Sequence, residues 1–288
     1  MPTDNKQALY PIRDVAQITG VNPVTLRAWQ RRYGLVVPQR TAKGHRLYSQ
    51  ADIDNIRQIT TWLDKGIAIS KVKPLLSNEA EVTTSIQAET GSFWQQQITA
   101  LNQSLFSLNS QKLQQQLSQL EQEYPYRIRQ QSLYRPWFSQ LSQSLAQQLD
   151  GQVLGQWLTQ ELFLRLGQRR FNAQFKRQAC IGIWDDDPVC QWQSLIYAIE
   201  LTILGVKVQL FSDINSTQLQ LLLNRTEIAH LLVVAGSYEQ ALAQLAHLSS
   251  QLECQYFYIG EGPSSSAMVV IEELATLVDT LPKGIKAK

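Results

Sequence analysis

The sequence predicts a multidomain chain: an α-rich winged helix-turn-helix, then a small bundle of about four helices, then an α/β parallel sheet. Three observations predict it. Two short helical patterns meet at a Gly-containing turn and lead into a basic, Gly-containing tip with apolar flanks. A Gln-rich middle keeps its leucines three and four apart. Beyond it, short apolar runs alternate with helical patterns.

The first region covers residues 1–76. Its segment "YPIRDVAQITG" predicts an amphipathic helix with Ile12, Val15, Ala16 and Ile18 facing inward, ended by Gly20. In "VNPVTLRAWQRRYG", Asn22 caps a second helix, Pro23 takes the first position, where a missing N–H costs nothing, and Gly34 stops it. A second helix joined this way can lie in the major groove of DNA. Val24, Ala28 and Leu35 are read as inward, and Thr25, Arg27, Gln30 and Arg31 as outward. Arg27 and Arg31 suit bidentate pairing with guanine or a phosphate clamp, and Thr25 suits a thymine methyl or a phosphate. Trp29 stands four residues before Tyr33. Trp29 fits core packing as well as a DNA contact, and Tyr33 offers a hydroxyl to phosphate.

The next segment, "VVPQRTAKGHRLY", predicts a β-hairpin wing. Its Arg40, Lys43, His45 and Arg46 would lie along the DNA backbone or in the minor groove. Ser49 then caps a helix, "SKVKPLL" adds Lys71 and Lys73, and Arg13 joins the basic set from the first helix. Residues 1–74 carry twelve Lys and Arg against five Asp and Glu, a formal +7, whereas the remainder carries −5. A basic end on a mildly acidic chain points to a polyanion-binding module with a separate second role.

Residues 77–92, "SNEAEVTTSIQAETGS" with few large apolar groups, read as a linker. Residues 93–177 read as the bundle, with breaks near Asn109-Ser110, Tyr124-Pro125 and Asp150-Gly151. Sixteen glutamines between Gln95 and Gln148 read as solvated helix faces, because the leucines between them keep helical spacing.

Residues 178–288 supply five apolar runs: Ala179–Trp184, Val206–Phe211, Ala229–Gly236, Cys254–Gly260 and Ala267–Ile271. Helical patterns fall at Gln193–Leu204, Thr217–Leu223, Tyr238–Leu252 and a last stretch to Leu281. This alternation means a parallel sheet, whose ligands bind beyond the carboxyl ends of the strands. That rim falls at Asp185–Cys190, Gly236-Ser237 and Gly260–Pro263. The Asp185–Asp187 triplet could hold a hard cation, but the reading adopted is a solvated acidic loop capping the next helix, with no metal expected.

The chain shows no signal-peptide pattern and no apolar run long enough to span a bilayer. Cys180, Cys190 and Cys254 form neither a CxxC pair nor a disulfide framework, so reduced thiols in a cytoplasmic protein are expected. Of the three histidines, His45 falls in the wing, His230 at a strand start and His247 on a helix. No HExxH, GxSxG, Walker or GxGxxG signature occurs, so no enzyme is expected.

The run "VTLRAWQRRYGLVVPQRTAKGHRLY" resembles the winged-helix domain of MerR-type transcriptional regulators. It is similar in particular to the branch that holds light- and cobalamin-responsive regulators and a regulator of curli and biofilm formation. The resemblance implies a homo-oligomer, at least a dimer, that activates or represses a promoter with inverted-repeat half-sites, with RNA polymerase as a further partner. Relatives usually dimerise through a long helix after the DNA-binding domain. No such heptad helix is evident, so the bundle or the sheet is expected to supply the contacts.

The resemblance also implies a four-helix bundle followed by a Rossmann-like, cobalamin-binding-like domain. The family's cobalamin motif is Asp-x-His-x-x-Gly, then Ser-x-Leu, then Gly-Gly. Asp185 fits the first place, but Asp187 stands where the His belongs, Cys190 where the Gly belongs, and Gly260 is followed by Glu261. Around the third strand, "VVAGSYEQ" offers Gly236-Ser237 but no clear Ser-x-Leu. In the bundle, Glu161-Leu162 replaces the capping Glu-His, Gly151 takes the place of the Trp, and Trp157 is out of register. An aspartate does not supply the neutral imidazole that cobalt prefers here. No cofactor is therefore expected. The alternatives are a switch that retains cobalamin or another small molecule, and a nonspecific architectural DNA binder.

Overall fold

The structure, a computed structural model, describes residues 9–77, 83–175, 179–185, 190–226, 228–246, 248, 254–265, 268–272 and 274–281, without the side chains of 77 and 83–92. The chain divides into two compact units, Met1–Trp137 and Phe138–Lys288.

The first unit opens with β1 (Tyr10–Pro11), α1 (Ile12–Thr19) and α2 (Pro23–Ala28). α2 runs on without a break into a π-helical turn, Trp29–Tyr33. β2 (Gln39–Arg40) and β3 (Arg46–Tyr48) form the wing, and β1 completes an antiparallel sheet in the order β1-β3-β2. Tyr10 pairs with Tyr48, and Gln39 with Leu47. α3 (Gln50–Asp64) begins at a capping box in which Ser49 and Asp52 satisfy each other's backbone N–H groups. It buries Ile53, Ile56, Ile59 and Leu63, and α4 (Ile69–Ser77) follows. On α1 only Val15 is fully buried. Ile18, expected inside, is 44 % exposed because the eight-residue helix presents a single narrow stripe to the core.

Next come α5 (Thr83–Phe106), α6 (Ser110–Glu123), α7 (Tyr126–Arg129), a second π-helical turn (Gln130–Tyr134) and α8 (Arg135–Leu145). α5 corrects two expectations. It starts inside the segment read as linker, and its 24 residues make a long helix after the winged domain, about 36 Å at 1.5 Å per residue. Thr83–Ser92 holds one large aliphatic residue, Ile86, so apolar periodicity could not reveal its first turns. The break before α6 is where it was expected, with the Asn109 side chain accepting the Lys112 N–H at 2.9 Å. Leu113, Leu117 and Leu120 are buried, and most of the glutamines are exposed or half-buried; Gln130 is buried. Trp94 and Tyr124 meet edge-to-face at 4.9 Å, and Trp137 donates its indole N–H to Asn102 at 2.7 Å.

The boundary between the units falls inside α8, so residues 93–177 are not set apart as one body. In the second unit α9 (Gly151–Phe171) buries Leu154, Leu158, Leu162 and Leu166 and packs on α10 (Gln191–Ile203). Trp192 donates to Thr159 at 2.9 Å across that contact. Five parallel strands follow: β4 (Cys180–Asp185), β5 (Lys207–Ser212), β6 (His230–Val233), β7 (Gln255–Ile259) and β8 (Val269–Ile271). Between them run α11 (Ser216–Leu223) and α12 (Tyr238–Leu245), and α13 (Leu274–Thr280) closes the unit.

The strand order is β5-β4-β6-β7-β8, so the direction of winding reverses at β4. Trp184, Phe211, Leu231 and Val233 pack with Leu219 and Leu223 of α11 and Ala241 and Leu245 of α12. All five expected strands are present within one or two residues, except that β6 and β8 are shorter than the apolar runs containing them. No helix among the described residues is long and apolar enough to cross a membrane.

Candidate nucleic-acid interface

The second helix of the helix-turn-helix is set by its ends. Asn22 Oδ1 accepts the N–H groups of Val24 and Thr25, each at 2.9 Å, and Pro23 occupies the first position. At the other end Gly34 adopts φ +60°, which an L side chain rarely tolerates. Its N–H bonds to Gln30 O, and the N–H of Leu35 reaches Trp29 O at 3.3 Å, closing the last carbonyls.

The phase of this helix reverses two expectations. Thr25, read as a DNA contact, is 0 % exposed, whereas Val24, read as inward, is 51 % exposed. Thr25 lies three and four residues before Ala28 and Trp29, both buried, and so shares their face. Val24, Arg27 and Arg31 recur three and seven apart on the opposite, exposed side. Trp29, also proposed as a DNA contact, is 0 % exposed and donates its indole N–H to the carbonyl of Glu123 at 2.8 Å. That leaves it no surface for DNA.

Tyr33 is turned to the same place. It is half-buried, and its hydroxyl lies in the field of the Glu123 carboxylate. Burial first, and then the neighbouring Glu123 carboxylate, push its pKa up to about 12, against a smaller opposing effect of Arg32. The side chain thus sits beside an acid within the protein rather than on the exposed stripe. Arg32 reaches Glu123 Oε1 at 2.6 Å and Gln122 Oε1 at 3.2 Å.

The wing carries the remaining base. Its tip is closed by Thr41 N–H to His45 O at 2.9 Å and Gly44 N–H to Thr41 O at 2.8 Å. Arg40, Lys43 and His45 are exposed. Arg46 is half-buried and donates from Nε to Gln30 Oε1 at 2.9 Å, so these two expected DNA contacts tie the wing to the helix. Arg13 is exposed on α1. Among the described residues Arg13, Arg27, Arg31, Arg40 and Lys43 make no ion pair, while Arg32, Arg57 and Arg127 do. Sequence reasoning missed Val24, whose exposure depends on helix phase, and Glu123, which lies 94 residues from Trp29.

The rim of the second unit is differently built. Asp185 is fully buried and accepts the Ser212 hydroxyl at 2.9 Å, so it is not part of a solvated acidic loop. Asp186 and Asp187 lie outside the described residues. Cys190 is buried at the N-cap of α10, and Glu261 is exposed. A side chain at Gly260 would meet the Tyr258 ring at 2.5 Å. Tyr238 and Tyr258 stand edge-to-face at 5.9 Å, both with little exposed surface. Among the described residues no group of three His, Cys, Asp or Glu side chains is placed to hold a metal.

A capped helix with an exposed arginine stripe, laced to a basic wing, defines a winged helix-turn-helix domain of the kind that docks on duplex DNA. Residues 10–79 match the family model described as MerR HTH family regulatory protein, and this region is a MerR-type domain. The chain is 49 % identical over 118 residues to the HTH-type transcriptional regulator MlrA of Escherichia coli K12, covering 41 % of this chain and 46 % of that protein. It is 45 % identical over 129 residues to MlrA of Salmonella typhimurium SL1344, covering 45 % and 50 %. The HTH-type transcriptional repressor CarH of Myxococcus xanthus is 40 % identical over 78 residues, 25 % of this chain and 26 % of that protein. The chain spans about half the length of the MlrA relatives it matches.

Proposed function

We propose that the protein is a sequence-specific DNA-binding transcriptional regulator of the MlrA-like kind, working in the cytoplasm as a homo-oligomer on promoter inverted repeats, with RNA polymerase as a partner. The observation that carries this reading is the exposed stripe Val24, Arg27 and Arg31 beside a wing that presents Arg40, Lys43 and His45. Arg27 and Arg31 read base edges or clamp phosphate, Val24 touches apolar base surface, and Arg13 and the wing hold the backbone. Gln30 and Arg46 keep the wing at a fixed distance from the helix, at 2.9 Å from one another. Six to ten phosphate contacts would cost roughly 10³–10⁵ in affinity between about 50 and 200 mM salt. Footprinting on the promoters flanking the gene tests the reading. A protected inverted repeat supports it, and uniform coverage of any duplex leaves only an architectural binder.

The second unit is read as a Rossmann-like, cobalamin-binding-like domain that follows a helical bundle and takes no cobalamin. The strand order with its reversal at β4 supports the fold. The Tyr258 ring at Gly260 speaks against the cofactor, because a nucleotide tail would have to enter where that ring already lies within 2.5 Å of the glycine's missing Cβ. The domain then serves oligomerisation or sensing of another signal.

A further inference from the structure

We propose that Glu123, at the end of α6, is the positioning residue of the recognition helix, so that the helical region is a working part of the DNA-reading device. The proposal rests on the reading that this helix reads DNA.

Two side chains of one π-helical turn bond to this residue. Trp29 donates to its carbonyl at 2.8 Å and Arg32 to its carboxylate at 2.6 Å, while the half-buried Tyr33 feels that carboxylate's charge. Gln119 donates to the carboxylate from within α6 at 3.2 Å. Glu123 is only 5 % exposed, and a buried carboxylate persists where paired and hydrogen-bonded groups satisfy it. The residues it holds are those of the rear side; Val24, Arg27 and Arg31 face away from it. A π-helical turn is a poor candidate for holding its own register, and such turns concentrate at functional sites. An external clamp gives this turn one position.

The clamp has an electrostatic consequence. Arg32 is half-exposed, and its charge is neutralised by Glu123 at 2.6 Å rather than offered to phosphate. Two neighbouring attachments differ in kind. The Tyr124 hydroxyl accepts the Ile69 N–H at 3.2 Å, and Arg127 pairs with Asp64. These two bonds run to Ile69 of α4 and Asp64 of α3 rather than to the recognition helix.

The test uses the full chain and two duplexes: one enriched by the wild-type protein from a random-sequence pool, and an unrelated duplex of equal length. Glu123→Gln is the main variant, Arg32→Gln breaks the same clamp from its exposed side, and Asp64→Asn is the control. The expected result for folded Glu123→Gln is a fall of about tenfold in preference for the enriched duplex. Binding to the unrelated duplex is kept, and its salt slope steepens by about one as Arg32 is released to phosphate. Loss of fold alone would weaken both duplexes without steepening the slope. Asp64→Asn keeps the preference. Should Glu123→Gln not fold, Arg32→Gln is read for the same loss of preference. A preference unchanged within about twofold in a folded clamp variant overturns the proposal. If the wild-type protein enriches no sequence, the DNA-reading assignment itself fails.

Discussion

The indole N–H of Trp29 donates to the carbonyl of Glu123 at 2.8 Å, joining the recognition helix to a residue 94 positions away. Both groups are buried, so Trp29→Phe leaves that carbonyl without its donor and opens space beside it. A loss of roughly 2–4 kcal/mol of stability is expected from the cavity and the orphaned acceptor together. Urea unfolding of the full chain measures it, and a change under about 1 kcal/mol would show that the indole bond contributes little.

Arg27 and Lys43 separate the two ways of binding DNA. Arg27 is exposed on the helix stripe, so Arg27→Ala should cost roughly 1–3 kcal/mol on the preferred sequence and relax base choice at one position. Lys43 is exposed at the wing tip, so Lys43→Ala should weaken all duplexes alike and lower the salt slope by about one. Titrations at several salt concentrations give both quantities. An unchanged affinity of Arg27→Ala for the preferred duplex at moderate salt would displace this helix from the groove.

Val24 is the apolar member of that stripe, 51 % exposed next to the capped helix start. An apolar side chain there is suited to a thymine methyl. Replacing single thymines of the preferred duplex by deoxyuridine should weaken wild-type binding at one position by about threefold to tenfold, and Val24→Ala should be insensitive at that position. Equal sensitivity of the two proteins at every thymine would rule out the contact.

Much of this was legible in the sequence, and the exceptions have physical causes. Asn22, Gly34 and Ser49 mark helix ends by local chemistry that needs no tertiary context, and each does so in the structure. The five strands were legible as short apolar, β-branched runs separated by helical patterns. The phase of α2 was not, because Val24 and Thr25 are neighbouring β-branched residues and either could have faced inward. The first turns of α5 carry almost no apolar signal. The Glu123 cluster depends on a long-range approach that no local pattern encodes.

Tyr33 predicts a pH dependence. Its pKa is raised to about 12 in the folded chain, against about 10 for an exposed tyrosine. The native state therefore holds this proton more tightly than the unfolded state. Its contribution is intact below about pH 10 and is lost as pH rises from there towards about 12. Tyr33→Phe should make the alkaline fall in stability shallower over that window, with Tyr124 and Tyr256, also raised by burial, accounting for part of what remains. Ultraviolet difference spectra should place a tyrosine ionisation that Glu123→Gln moves downward. A Tyr33 that ionises with the exposed tyrosines would contradict its burial against Glu123.

The rim of the second unit makes the last prediction. Tyr258 occupies the space beside Gly260, and Tyr238 packs edge-to-face against it at 5.9 Å. Both rings belong to the core cluster that includes Val233 and Met268, so they are part of the packing of the sheet and not a lid over an open crevice. Protein purified with adenosylcobalamin should pass gel filtration without a corrin band in its visible spectrum. Tyr258→Ala should then cost roughly 3–5 kcal/mol as a large-to-small core substitution. It should not create cobalamin binding, since the position that needs an imidazole is Asp187 and the N-cap of α10 is the buried Cys190. A corrin band retained by the wild-type chain would mean that the two rings yield to the tail, and the module would then be a cobalamin sensor with an unfamiliar lower ligand.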